Sequence, residues 1–392
     1  MRDAIRCGRT QPCRGASWRH EPCDTSTIGR PLAVAQSVQN TRAPMIRRFL
    51  ALTWLSLGIA GGVIAAGAQS AHAQVRSLED ASAAVVLAYA RFGDDTAPAA
   101  SIRLDQFDAH LRELRSGGYT VLPLGEVLGA LREGRSLPPR SVVITIDEGH
   151  RSAYREAWPR LREAGLPFTV FVASDTIDRN TGTHMSWGEL RELASAGVTI
   201  GQMGASHARL AMADRSTAIS QIVRATERMT AELGRPPLVL SWPYGEVSAV
   251  LKPLLTGLGV RAALGLHSGV AHAGSDMLYL PRFTQNEALG SIDRFQLVAK
   301  ALPLVVSDVV PDHWLVDRNP PAIGFTVEPQ TGDIDQLACF MAGIGRVEVE
   351  RLGRRLELRL TEALPSGRTR LNCTMPLEDN RWRWFGAQIT VN

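Results

Sequence analysis

Cysteine is scarce in this chain and unevenly placed. Of five cysteines, Cys7, Cys13 and Cys23 fall near the start, and only Cys339 and Cys373 lie further on. No Cys-rich ligand cluster exists, which excludes a zinc finger or ribbon. There is no internal repeat and no sustained heptad pattern, so solenoid and coiled-coil architectures are excluded as well. The one long apolar run, Phe49 to Ala68, has no basic stop-transfer cluster directly after it. Acidic excess is also missing, since the formal net charge is +4. That balance, with a pI near 9.0, invites a nucleic-acid reading that the location of the charge removes. Residues 1–73 hold nine arginines against three acids, a net of +6, so the part beyond Ala73 is net negative. The basic character belongs to the leader, and no nucleic-acid partner is expected.

The leader has its own logic. Met45-Ile-Arg-Arg48 is a short basic segment, the apolar stretch comes next, and Ala71-His-Ala73 fits a small-x-small cleavage pattern. This reads as a secretory signal peptide over 45–73, with a transmembrane anchor as the alternative. Residues 1–44 then form an upstream extension that asks for no fold. A periplasmic or secreted protein is expected, with no membrane span after cleavage. In an oxidising compartment Cys339 and Cys373 suggest one local disulfide, against the alternative of two buried thiols.

The 392 residues, 45% of them hydrophobic, suffice for one large core and a smaller domain. From Ala84 onward, apolar strand candidates alternate with helical patterns. Strands are expected at 84–89, 119–122, 141–146, 168–172, 198–200, 238–240 and 262–264. Helices are expected at 105–114, 124–132, 154–164, 187–196, 218–233 and 247–258. In the first helix Phe107, His110, Leu111 and Leu114 recur at steps of three and four. Strands separated by helices of this length mean parallel βα units, and seven or eight of them favour a barrel over an open sheet. Beyond about Pro320 the period becomes two, as in Arg346-Val-Glu-Val-Glu350 and Leu356-Glu-Leu-Arg-Leu360. A small antiparallel domain over 316–392 is expected, with 302–321 as a linker and a barrel over 74–315. The Trp382-Arg-Trp-Phe385 stripe reads either as a sugar platform or as surface buried against the barrel.

Polar groups gather at expected strand ends, where parallel α/β folds bind ligands. Ser141-Val-Val-Ile-Thr-Ile-Asp-Glu-Gly149 ends in two carboxylates, and Gly201-Gln-Met-Gly-Ala-Ser-His207 comes after another apolar stretch. Ser241-Trp-Pro-Tyr-Gly245 and His267 sit after two more. Adjacent carboxylates point in different directions, so one can hold a metal while the other takes a proton.

These segments resemble the polysaccharide deacetylases of the NodB-homology type over roughly residues 84–310. The resemblance rests on Thr145-Ile-Asp-Glu-Gly149, on Ile200 through Leu210, on Trp242-Pro-Tyr-Gly245 and on Leu280-Pro-Arg282. It implies an α/β fold, a distorted (β/α) barrel, with the small all-β domain after it. It implies a metal-dependent hydrolase that removes acetyl groups from N-acetylated glycans, acting on a non-peptide C–N bond. By the same resemblance Asp147 is the catalytic base, and Glu148, His207 and Met203 stand at metal positions, Met203 where the family has histidine. His267 matches a late catalytic histidine, with a second role as a supporting residue equally open. Trp242, Pro243, Tyr244 and Arg282 are implied substrate contacts, with core packing the rival for Trp242.

The cofactor is then a divalent metal, zinc if any. A thioether suits soft Cu(I) better than zinc, so weak or absent deacetylation is expected. Three functions remain open at this point: an active deacetylase, a carbohydrate-binding pseudoenzyme of the cell envelope, and a scaffold for an envelope partner.

Overall fold

The computed structural model describes residues 78–391. The expected signal peptide at 45–73 and extension at 1–44 lie outside the described residues. The fold is α/β, a distorted barrel with a mostly-β region after it.

Strand β1 (Ala83–Tyr89) is buried along its whole length, as a central parallel strand covered on both faces must be. Beside it lies β2 (Ser141–Ile146), also buried throughout, with Val85 opposite Val142 and Tyr89 opposite Ile146. The parallel row continues through β3 (Thr169–Val172), β4 (Thr199–Gln202), β5 (Val239–Ser241) and β6 (Ala262–Leu264). The segment 280–284 touches both ends of this row. Leu280 bridges Leu264, and β7 (Phe283–Thr284) runs parallel to Leu87–Ala88. The sheet thus curls back toward itself, and the carboxyl ends of β2, β4 and β5 share one mouth.

Helices cover the outside. Leu104–Ser116 buries the expected face of Phe107, His110, Leu111 and Leu114. Arg215–Leu233 starts earlier than its apolar pattern because the Asp214 side chain accepts the Thr217 N–H and caps it. The segment expected as one helix from 154 begins as a π-turn at Ala153–Ala157 and becomes α only at Trp158–Ala164. Pro159 has no N–H to continue an α ladder there. A second expectation fails outright. Residues 247–258 form turns with a short 3₁₀ segment, Lys252–Leu254, instead of a helix. Val247, Leu251 and Leu255 are buried at helical spacing. Pro253 cannot donate to the chain behind it, and Gly257 and Gly259 disfavour a helical turn after it.

Strands of the second sheet begin before residue 316. Leu302–Pro303 pairs with Trp382–Val391, and Val306–Val310 pairs with Ile323–Val327. The expected linker is therefore part of the second sheet, which also holds Ala338–Met341, Gly345–Leu352, Arg355–Arg359 and Gly367–Pro376. Such short strands, rich in Asp and Pro, carry no clear period-two signal. Cys339 and Cys373 face each other on antiparallel strands and form a disulfide, both fully buried.

This sheet is fastened to the barrel by buried polar contacts. Arg383 makes a two-pronged pair with Asp80 at 2.7 and 2.8 Å. Trp384 also meets Phe283 of the barrel edge-on at 5.1 Å, while Phe385 packs on Phe325 within the second sheet at 5.0 Å. The Trp382–Phe385 stripe is partly or fully buried rather than exposed.

Two buried histidines make the fold sensitive to acid. His110 bonds the Tyr89 hydroxyl at 3.0 Å and the Gly290 carbonyl at 2.9 Å. Burial pulls its pKa down to about 4, and burial beside Arg282 and Arg370 pulls His267 to about 3. Unfolded imidazoles take up protons near pH ~6.5, while these stay neutral until far lower. Stability is therefore complete above that value and falls as pH drops toward 4. Denaturant titrations at pH 7 and 5 should show lower stability at pH 5, with a smaller loss in His110→Gln. Equal or greater stability at pH 5 would overturn this reading.

Candidate functional site

The carboxyl end of β2 turns sharply. The Asp147 N–H still bonds the Tyr89 carbonyl at 2.8 Å, but Glu148 adopts φ +69° and Gly149 φ +63°. A Cβ at Gly149 would stand 2.7 Å from Val172 Cγ1, so both the backbone and the space require glycine. His207 at φ +60° and Tyr244 at φ +59° share the left-handed conformation. Three non-glycine residues in this region, all lining one cavity, hold strain on the order of 1–3 kcal/mol each. Strain concentrated at one mouth marks it as the candidate site.

Asp147 sits at the base of this cavity, 5% exposed. The fully buried Arg282 holds it from below, with Nη1 2.8 Å from Oδ1 and Nη2 2.8 Å from Oδ2. The Ser241 hydroxyl donates to Oδ2 at 3.1 Å. The other donors of Arg282 reach the Gly265 carbonyl and the Thr145 hydroxyl. A two-pronged pair with its remaining donors satisfied is the one form in which buried charge is tolerated.

Glu148 points elsewhere. Its carboxylate lies 3.6 Å from Arg91 Nη2, and its N–H donates to Met203 Sδ at 3.2 Å. Met203 is buried, 2% exposed. His207 lies across the cavity, its ring 4.7 Å from Tyr244. The buried Nε2 of His207 has no hydrogen-bond partner. Burial lowers the pKa of His207, against an opposing pull from Glu148 and Asp147.

The cavity encloses about 410 Å³ and is lined by Asp147, Glu148, Met203, His207 and Tyr244. The mouth thus brings together the carboxylate corner, the imidazole and one aromatic ring. The remaining expected site residues are buried. Trp242 is 0% exposed and its indole donates to the Leu278 carbonyl, so it belongs to the core. Pro243 is buried beside it. Arg282 cannot touch a ligand from beneath Asp147. His267 lines a different cavity, of about 580 Å³, between barrel and second sheet. There it stacks on Tyr279 at 4.2 Å.

Residues that sequence reasoning missed complete the wall. Arg368, Arg370 and Gln388 reach the same cavity from the second sheet, and Gln388 Nε2 donates to the Tyr244 carbonyl at 2.9 Å. Arg368 and Arg370 alternate with buried Thr369 and Leu371, which alone reads as an ordinary solvated strand face. Arg91, the partner of Glu148, likewise carries no signal in its spacing.

Residues 134–263 match the family model for polysaccharide deacetylase. A putative polysaccharide deacetylase, YxkH of Bacillus subtilis (strain 168), is 22% identical over 45% of this chain and 63% of its own length. The poly-beta-1,6-N-acetyl-D-glucosamine N-deacetylase of Escherichia coli (strain K12) is 24% identical over 46% of this chain and 33% of its own length. Over residues 134–263 this chain is similar to the polysaccharide deacetylases. It spans less than two-thirds of either relative.

Two solved structures share the fold. The Streptococcus pyogenes deacetylase PplD, in complex with acetate, gives a TM-score of 0.52 at 18% identity, covering 55% of this chain and 98% of that one. IcaB from Ammonifex degensii gives 0.51 at 23%, covering 56% and 97%.

At the family level the chemistry is hydrolytic deacetylation, often with a divalent metal. The donor set here does not fit one. Among the described residues no three His, Cys, Asp or Glu side chains are grouped to hold an ion. Glu148 is turned toward Arg91, the Met203 sulfur is occupied by an N–H, and the oxygens of Asp147 are held by Arg282 and Ser241. A zinc site needs three protein ligands around one point.

The buried pair gives a direct prediction. Arg282→Met strands the Asp147 carboxylate and should cost about 3–5 kcal/mol in urea unfolding. A loss below about 1 kcal/mol would mean that Asp147 is solvated by another route.

Proposed function

We propose that this chain binds an N-acetylated glycan of the cell envelope in the cavity above Asp147, and that its deacetylation is strongly reduced. The carrying observation is the contact between Met203 Sδ and the Glu148 N–H. A neutral thioether stands where the family resemblance expects an imidazole, and it is spent on the backbone of the neighbouring motif. The remaining groups suit binding. Tyr244, 36% exposed, offers apolar surface for a sugar ring, and the His207 ring packs beside it in the cavity wall. The Cys339–Cys373 disulfide suits a periplasmic or secreted setting. Among the described residues no helix is long and apolar enough to cross a membrane.

A second reading, slow hydrolysis, is favoured by one observation: Asp147, Glu148 and His207 line the same cavity. Asp147 then keeps the role of base that the resemblance gives it, and Glu148 and His207 act beside it on a C–N acetamido bond. An acetate-release assay on N-acetylglucosamine oligomers, with zinc supplied, separates the two. The unaltered protein should run about 100-fold or more below the double variant Glu148→Asp, Met203→His, given that even an indirect metal partner is worth about 10–100-fold. Equal acetate release by both proteins would overturn the binding reading.

A further inference from the structure

The charges around the cavity do not balance. Its acids already face cations: Asp147 has Arg282, and Glu148 shares Arg91 with Asp94. Two further guanidiniums enter from strand Gly367–Pro376, at Arg368 and Arg370, two residues apart on one face. Arg370 makes a single long hydrogen bond, 3.5 Å to Thr284 Oγ1, and no carboxylate among the described residues pairs with it. Burial and the neighbouring Arg368 lower its pKa. Arg294 stands behind it and bonds only carbonyls, those of Thr284 and Leu289. Burial and the nearby Arg370 draw Arg294 down to about 10. Arg368 lies over the Tyr244 ring at 5.1 Å. Its nearest acid, Glu246 at 4.0 Å, is held by both donors of Arg209.

Desolvating guanidiniums beside one another without a counter-charge is unfavourable, and it is relieved by an anion that both can reach. We propose that the cavity takes an acidic sugar, with the carboxylate of a hexuronate unit seated between Arg370 and Arg368 and the ring against Tyr244. His207 lines the same volume beside Tyr244. This rests on the glycan-binding reading and adds to its N-acetylated glycan the requirement of a negatively charged sugar unit. The second sheet then sets specificity, because both arginines come from outside the barrel. A phosphate substituent on a sugar would satisfy the same two guanidiniums, so the test includes it.

Calorimetric titration of the full chain with four probes decides the matter. These are a galacturonate hexamer, its fully methyl-esterified form, an N-acetylglucosamine hexamer and mannose 6-phosphate. The ester keeps the skeleton and removes the charge. The galacturonate hexamer should bind at least about tenfold tighter than its ester, a difference of about 1.4 kcal/mol. Arg370→Gln should erase that preference, and so should the more exposed Arg368→Gln, with thermal melting confirming that each variant folds. Tighter binding of mannose 6-phosphate than of the galacturonate hexamer would overturn the hexuronate assignment. Equal affinity for hexamer and ester, or a preference untouched by both substitutions, would overturn the proposal. In that case binding of the N-acetylglucosamine hexamer leaves the glycan-binding reading standing. Failure of every probe overturns both.

Discussion

The Asp147–Arg282 pair organises this molecule. It lies where the barrel row returns on itself, with Asp147 after β2 and Arg282 on the segment that bridges Leu264 and runs beside Leu87. One guanidinium ties together Thr145, Asp147, Ser241 and Gly265, from three strand ends. A buried charge pair of this kind contributes little net stability compared with apolar packing. Its contribution is geometric: it orients the carboxylate at the floor of the mouth and fixes the closing segment over it. The same contact removes Arg282 from any role at the surface, since the cost of unpairing it exceeds what one ligand contact returns.

Around that floor, function depends on which elements rise above it. Glu148, His207 and Tyr244 hold backbone conformations that packing alone would not select. The fourth wall comes from the second sheet, held against the barrel by Arg383 on Asp80 and stapled internally by Cys339–Cys373. The barrel itself offers the carboxylates of Asp147 and Glu148 and the imidazole of His207 at its mouth. The added sheet brings Arg368, Arg370 and Gln388 and makes the entrance cationic. A cavity whose floor is neutral and whose outer wall is positive is suited to holding a ligand of negative charge.

Much of this was legible in the residues. Short β-branched runs such as residues 142–146, set between helical patterns, fit central parallel strands, and the Phe107, His110, Leu111, Leu114 face matches the buried side of its helix. Asp147, Glu148, Met203, His207 and Tyr244 could be placed at one mouth because strand-end motifs converge in parallel folds. Residues at 247–258 show the limit of periodicity: burial at Val247, Leu251 and Leu255 has helical spacing, yet Pro253 and two glycines turn the chain into bends. Trp242, for which core packing was the rival reading, and Arg282 show a related limit. A motif fixes where a residue stands along the chain, and whether its side chain faces ligand or core depends on neighbours from distant segments, Leu278 and Asp147 here. Arg91, Arg368 and Arg370 were invisible because their contacts cross the chain with no local pattern to mark them.

The measurement closest to the central claim is a calorimetric titration of zinc into chelator-stripped protein beside the His207→Ala variant. If the mouth is closed to metal by the Met203–Glu148 contact and the Arg282-held carboxylate, the two proteins should give the same weak, unsaturating heats. A saturable one-to-one site in the unaltered protein that vanishes in His207→Ala would contradict the account.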